Sequence, residues 1–155
     1  MTALPDGATI HASAVLVGAR AVLIRGPAGS GKSTLVMRLL DANATGLIPF
    51  ARLVADDRVL LEECHGRLLA RPPNALAGLL EVRGLGLRRL AYEPVAALGW
   101  VVDLGVDKAD RLPQDRDLAA TVSSVTLPRI AVRSCADAAA VLLAALRTRD
   151  ARAVR

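Results

Sequence analysis

The sequence predicts a single α/β domain in which strands outnumber helices, and three observations carry that expectation. First, Ala21-Val22-Leu23-Ile24 is an apolar run of strand type that leads into Gly26-Pro27-Ala28-Gly29-Ser30-Gly31-Lys32-Ser33, and a glycine-free stretch of helical spacing follows. Second, 155 residues suit one domain, and a chain of that size buries roughly 70% of the surface it exposes unfolded. Third, the other apolar runs are short and separated by turn residues, which is the pattern of strands. With 53% hydrophobic residues but only Phe50, Tyr92 and Trp100 aromatic, the core must be aliphatic.

Taken along the chain, residues 8–11 and 13–17 read as short strands around a polar kink, and residues 20–25 as the strand before the glycine loop. Leu35, Val36, Leu39 and Leu40 lie at helical spacing, and the helix from Lys32 to about Ala42 meets its stop signals at Asn43 and Gly46. Arg52 to Ala55 is a strand ending in Asp56-Asp57. Val59–Leu61 and Leu68–Ala70 flank His65-Gly66 at hairpin distance. Pro72-Pro73-Asn74 breaks the chain before a brief helical turn. Leu98 to Val102 is a strand capped by Asp103, and residues 104–118, broken by Gly105 and Pro113, read as a surface loop. Strand-like residues recur around Val125 and at Ile130–Val132, then a helix runs from Ala136 to about Arg147, and the tail from about residue 148 is expected to fray.

Charge and composition exclude several classes. The net charge is +5, but the basic residues are scattered and almost all arginine, so no nucleic-acid-binding arm is present. Three aromatic residues are too few for a base-stacking platform. Cys64 and Cys135 lack metal-site spacing and are expected to be buried thiols. The first six residues do not read as a signal peptide, and the longest apolar stretch, Ala138 to Leu146, is too short to span a bilayer, so no membrane is expected and the expected compartment is the cytoplasm.

The glycine loop carries the chemistry. G-x-x-x-x-G-K-[ST] after a strand and before a helix turns successive backbone N–H groups toward a phosphate, with the helix N-terminus behind them. Gly26 to Thr34 is therefore the expected ATP-binding segment, Lys32 bridging the β- and γ-phosphates and Ser33 reaching Mg²⁺. A metal also needs carboxylates, and two strands end in them: one at Asp56-Asp57, the other at Asp103. Spacing alone does not choose between the two. The tandem pair tips the choice, because adjacent carboxylates repel unless a cation or proton offsets them.

At this point a family resemblance emerges. Ile10-His11-Ala12-Ser13, the loop Gly26–Ser33, Leu53-Val54-Ala55-Asp56-Asp57-Arg58, Leu80-Glu81-Val82-Arg83-Gly84-Leu85-Gly86 and Asp107-Lys108-Ala109-Asp110-Arg111-Leu112 occur in one order. The series resembles the catalytic domain of the HPr kinase/phosphorylase family, in the short alphaproteobacterial form without a separate N-terminal domain. The resemblance implies the phosphoenolpyruvate-carboxykinase-like variant of the phosphate-loop fold, a twisted mixed sheet with few helices. It implies an ATP- and Mg²⁺-dependent protein-serine kinase acting on HPr or its nitrogen-branch homologue, and a homo-hexamer. By position, Asp56 matches the catalytic carboxylate, His11 and Lys32 its neighbours, Arg111 the catalytic arginine, and Ser33 and Glu81 the metal ligands, with Asp57 beside them. Lys108 falls on the family's flexible loop, and Arg83 suits either a phosphate contact or a salt bridge. Leu87-Arg88 stands where a pair of isoleucines is usual, and Arg133-Ser134-Cys135-Ala136-Asp137 replaces the stretch associated with dephosphorylation, so the resemblance supports the kinase direction more fully than phosphorolysis. Two other readings stay open: a small-molecule kinase using Asp103 on the metal side, and a nucleotide-binding regulator without catalysis.

Overall fold

A computed structural model describes residues 9–151, a mixed α/β fold with a twisted sheet and few helices. Among the described residues there are ten strands and two α-helices: β1 (Ile10–Val17), β2 (Arg20–Arg25), α1 (Lys32–Ala44), β3 (Ala51–Ala55), β4 (Arg58–Cys64), β5 (Arg67–Arg71), β6 (Leu79–Val82), β7 (Gly86–Arg89), β8 (Ala96–Asp103), β9 (Ala119–Val122), β10 (Val125–Ala131) and α2 (Cys135–Arg147). Single turns of 3-10 helix occupy Asn74–Leu76 and Asp115–Asp117. Residues 1–8 and 152–155, which include the start of the first expected strand and the N-terminal hexapeptide, lie outside the described residues.

β1 pairs antiparallel with β2, β3 and β4, β4 pairs with β5, β5 with the start of β8, and the rest of β8 runs parallel to β2. The pairing β2–β1–β4–β5–β8 thus returns to β2 and closes a ring. Inward residues of a ring this narrow must be small, and Ala12, Ala14, Ala21, Ala70 and Ala96 are buried there with Leu23, Val54, Val59, Leu68 and Leu98. On the opposite face, Val15, Val22, Ile24, Leu53 and Val102 meet Leu35, Val36 and Leu39 of α1 and Ala138 and Leu142 of α2. Both faces of β1 and β2 are therefore apolar, which is why these strands read as continuous hydrophobic runs. β10 and β9 extend the sheet beyond β8, and β6 with β7 forms a separate hairpin.

One expectation is corrected, and two strands are present that hydrophobic periodicity did not reveal. β1 is continuous rather than kinked between residues 11 and 13, because Ser13 satisfies its hydroxyl without leaving the ladder, opposite Ile24 of β2. Gly86–Arg89 is a strand although its four residues are all exposed; backbone pairing with β6 holds it where hydrophobic alternation gave no signal. The stretch read as loop through residue 118 is followed at once by β9, paired to β10.

The ends of β2, β8 and β10 are fastened by charge. Asp103 accepts Arg25 Nε at 2.8 Å and Nη2 at 2.9 Å, and Arg129 Nε at 2.6 Å. Burial alone pushes the Asp103 carboxyl up, but the two guanidinium groups outweigh it and hold the carboxyl below its ordinary value. Arg25 immediately precedes the glycine loop, so this cluster sets the loop's point of departure. Asp103→Asn should lower stability by about 2–3 kcal/mol, a fall in Tm of about 5–10 °C for a domain of this size. The contribution is complete above the unfolded Asp pKa of about 3.9 and disappears as pH falls through the lower folded value. The Tm gap between wild type and Asp103→Asn should accordingly be flat around neutrality and narrow in acid below about pH 4; a gap unchanged in strong acid would contradict it.

Candidate active site

The loop between β2 and α1 has the geometry its spacing predicts. Gly29 and Gly31 adopt φ of 77° and 100°, and Gly31 caps α1 with no side-chain hydrogen bond, leaving the first-turn N–H groups free of a protein acceptor at the cap. No acidic residue lies in the first turn of α1, so no carboxylate of the helix competes for its positive end. Lys32 is 7% exposed. Its ammonium folds back on the loop, donating to the carbonyl oxygens of Gly26 at 2.8 Å and Pro27 at 3.0 Å. Burial pushes the Lys32 ammonium below its ordinary pKa, partly offset by the carboxylates of Asp57 and Asp56. A buried ammonium held by carbonyl dipoles and flanked by bare helix N–H groups is a site that an anion completes.

β3 delivers the tandem carboxylates, and the chain treats them differently. Asp56 is 5% exposed and accepts three hydrogen bonds: Ser13 Oγ at 2.7 Å and Ser33 Oγ at 2.8 Å on Oδ1, and the Glu81 backbone N–H at 3.3 Å on Oδ2. Asp57 sits at φ 68°, a left-handed conformation that Asp tolerates better than most residues, and Arg58 N–H closes the turn on the Asp56 carbonyl at 2.8 Å. In an extended strand consecutive side chains point to opposite faces. This turn breaks that alternation, so the Asp57 carboxylate also comes to the glycine-loop side, where it is exposed and accepts His11 Nε2 at 3.1 Å.

A cleft of about 500 Å³ opens between the loop and the β6–β7 hairpin, lined by His11, Lys32, Ser33, Asp57, Glu81 and Arg83 among others. The structure thus brings together every expected site residue of the first half of the chain: Ala28, Gly29, Gly31 and Thr34 line the cleft, Asp56 lies beneath Ser33, and Gly26, Pro27 and Ser30 complete the loop. Arg111 and Lys108 are not there. They line a separate cavity of about 240 Å³ with Val106, Arg129, Ile130 and Val141, under the segment that follows β8. Asp103 is likewise elsewhere, committed to Arg25 and Arg129.

Among the described residues no three His, Cys, Asp or Glu side chains gather into a metal cluster. Mg²⁺ does not need one, since it keeps several waters and takes phosphate oxygens beside one or two protein oxygens. Ser33, Asp57 and Glu81 are all oxygen donors on one cleft, and they fit that demand. Ser13, fully buried, is the contact that motif reading passed over. Its signal was present: in an otherwise apolar strand it lies two residues from His11, on the same face.

A strand, glycine loop and helix facing paired carboxylates across a cleft define an α/β protein built to hold an anionic ligand. The model described as HPr Serine kinase C-terminal domain matches residues 2–91, and the chain belongs to that family. It is 37% identical over 78 residues to the HPr kinase/phosphorylase of Clostridium beijerinckii and 38% identical over 78 residues to that of Clostridium tetani. These alignments cover 50% of this chain and 24% and 23% of the two relatives, so the similarity spans about a quarter of their length. Among solved structures, the Hpr(Ser) kinase/phosphatase from Coxiella burnetii superposes with a TM-score of 0.72 at 21% identity, covering 91% of this chain and 95% of that one, a likeness of fold. Arg111 and Lys108 lie beyond the residues that the family model matches.

The loop glycines differ in what they tolerate. A Cβ on Gly29 meets nothing within 4 Å, whereas one on Gly31 comes within 3.1 Å of Cys135 Cβ, at a φ of 100° that lies outside the left-handed well. Gly29→Ala should cost about 1–2 kcal/mol. Gly31→Ala should cost more in thermal unfolding; equal penalties would contradict the geometry.

Proposed function

We propose that this chain is the catalytic part of an ATP-dependent protein-serine kinase that phosphorylates HPr or an HPr-like phosphocarrier, on a phosphate-loop fold of the phosphoenolpyruvate-carboxykinase-like type. The observation that carries the reading is the single cleft in which the glycine loop, the His11–Asp57 pair and Glu81 face one another. Bound ATP supplies the transferable phosphoryl group, and Mg²⁺ neutralises its charge. Lys32 exchanges the carbonyls of Gly26 and Pro27 for phosphate oxygens, and Arg83 adds positive charge from the facing hairpin. Ser33 and Glu81 hold the metal side.

The base belongs to Asp57 rather than Asp56, a revision of the motif assignment. A general base must come within hydrogen-bond reach of the hydroxyl it deprotonates. Asp56 is buried with both oxygens engaged, while Asp57 is exposed on the cleft with His11 against it. As the acceptor serine oxygen bonds to the γ-phosphorus and the bond to the β-phosphate oxygen breaks, the serine proton passes to Asp57 Oδ. His11 orients that carboxylate. Arg111 can contribute only if the segment carrying it moves or a second copy supplies it, and homo-oligomer formation is part of the same proposal. The small-molecule-kinase alternative loses its carboxylate, because Asp103 is held by two arginines away from the cleft.

Incubation with HPr, Mg²⁺ and ATP labelled on the γ-phosphate should give HPr labelled on serine. Asp57→Asn should slow transfer by about 10²–10⁴-fold and leave nucleotide binding and Tm near wild type. Asp56→Asn should lower Tm, because a buried amide replaces an acceptor of three hydrogen bonds. Wild-type transfer by Asp57→Asn would remove the base assignment; ATP binding with no labelled HPr would remove the protein acceptor.

A further inference from the structure

We infer that Ser13 is a positioning residue for the metal side of the cleft, acting on Ser33 through Asp56. The inference rests on reading the cleft as a Mg²⁺–nucleotide site. Ser13 is 0% exposed and stands between the fully buried Ala12 and Ala14 on β1, paired opposite Ile24. A buried hydroxyl is costly unless bonded, and the partner it has is Asp56 Oδ1 at 2.7 Å. Ser33 donates to the same oxygen at 2.8 Å.

The consequence follows from counting lone pairs. A carboxylate oxygen offers two in-plane acceptor sites, and Ser13 and Ser33 together fill both on Oδ1. Oδ2 takes the Glu81 N–H at 3.3 Å. The carboxylate is thereby fixed in rotation. Ser33 spends its one proton on Asp56, so its lone pairs are left for a cation in the cleft. Removing the Ser13 hydroxyl frees one acceptor site on Oδ1, lets the carboxylate turn, and releases the direction in which Ser33 offers its oxygen. Ser13 belongs to a strand paired on both sides, so what it transmits to the glycine loop is the position of the sheet.

The test compares ATP binding in EDTA with binding in Mg²⁺, by calorimetry, for the whole chain. Ser13→Ala should bind ATP in EDTA as wild type does, while the affinity gained from Mg²⁺ falls about 10-fold, within the range seen when partners behind a metal ligand are removed. Ser13→Thr, which keeps the hydroxyl, should restore the gain. In a Ser33→Ala background, Ser13→Ala should take away no further Mg²⁺ gain, because the residue through which it acts is already gone. Should Ser13→Ala fold poorly, Ser13→Cys, a weaker donor of similar size, should show the same selective loss. An undiminished Mg²⁺ gain in Ser13→Ala overturns the inference. So does a loss that is equal in EDTA and that threonine does not repair, which marks a packing role. If wild type itself gains nothing from Mg²⁺, the underlying reading of the cleft fails, and the wild-type titration alone reveals it.

Discussion

One carboxylate organises this site. Asp56 lies at the end of β3, and the three donors that converge on it come from β1, from the first turn of α1 and from β6. Through this single side chain the ring-closed sheet, the start of α1 and the hairpin that forms the far wall of the cleft are joined. Taking a carboxylate out of water is unfavourable by several kcal/mol, and it is tolerated only where charge-assisted hydrogen bonds replace the lost hydration. The three donors are that replacement. The separation between Ser33 and Glu81, and so the shape of that end of the cleft, is therefore a by-product of satisfying one buried charge.

The same logic, with the opposite sign, governs Lys32. Its ammonium is buried against its own loop, and the carboxylates that raise its affinity for a proton do not fully offset the burial that lowers it. Carbonyl dipoles are weak substitutes for an anion, while the helix end beside them is positive and has no acidic residue in its first turn. Loop and lysine are consequently under-compensated together, and a phosphate relieves both at once. The negative charges that balance the region sit one layer back, at Asp56 and Asp57. They attract the lysine without occupying the place of the ligand.

How much of this was legible depended on how local the determinant was. The glycine loop, α1, the β4–β5 hairpin and the aliphatic core follow from spacing and turn residues close together in the chain, and the structure has them. β7 was not legible, because four exposed residues carry no hydrophobic alternation and their order comes from pairing across the turn after Val82. The placement of Arg111 was not legible either: motif order brings it to the site, but the chain between β8 and β9 carries it to a cavity beside α2. Ser13 lies beside the point where a kink was expected, and β1 runs unbroken through it. A polar residue in an apolar strand has two explanations, a break in the ladder or a buried partner, and only the partner's location decides between them. That partner is 43 residues away.

The tandem Asp56-Asp57 shows the limit most sharply. Two identical residues, adjacent in sequence, reach opposite environments because one backbone dihedral is positive. With Asp57 at φ 68°, the first carboxylate goes under the loop and takes three donors, and the second emerges into the cleft beside His11. Had the strand continued extended, one of them would face the interior of the ring, among alanines and leucines that cannot solvate a charge. The turn is thus what permits two adjacent carboxylates at all. It also separates their surroundings, since the buried one has both oxygens engaged and the exposed one stands open on the cleft. Sequence can announce such a pair; which member is buried and which faces the cleft is decided by the backbone between them.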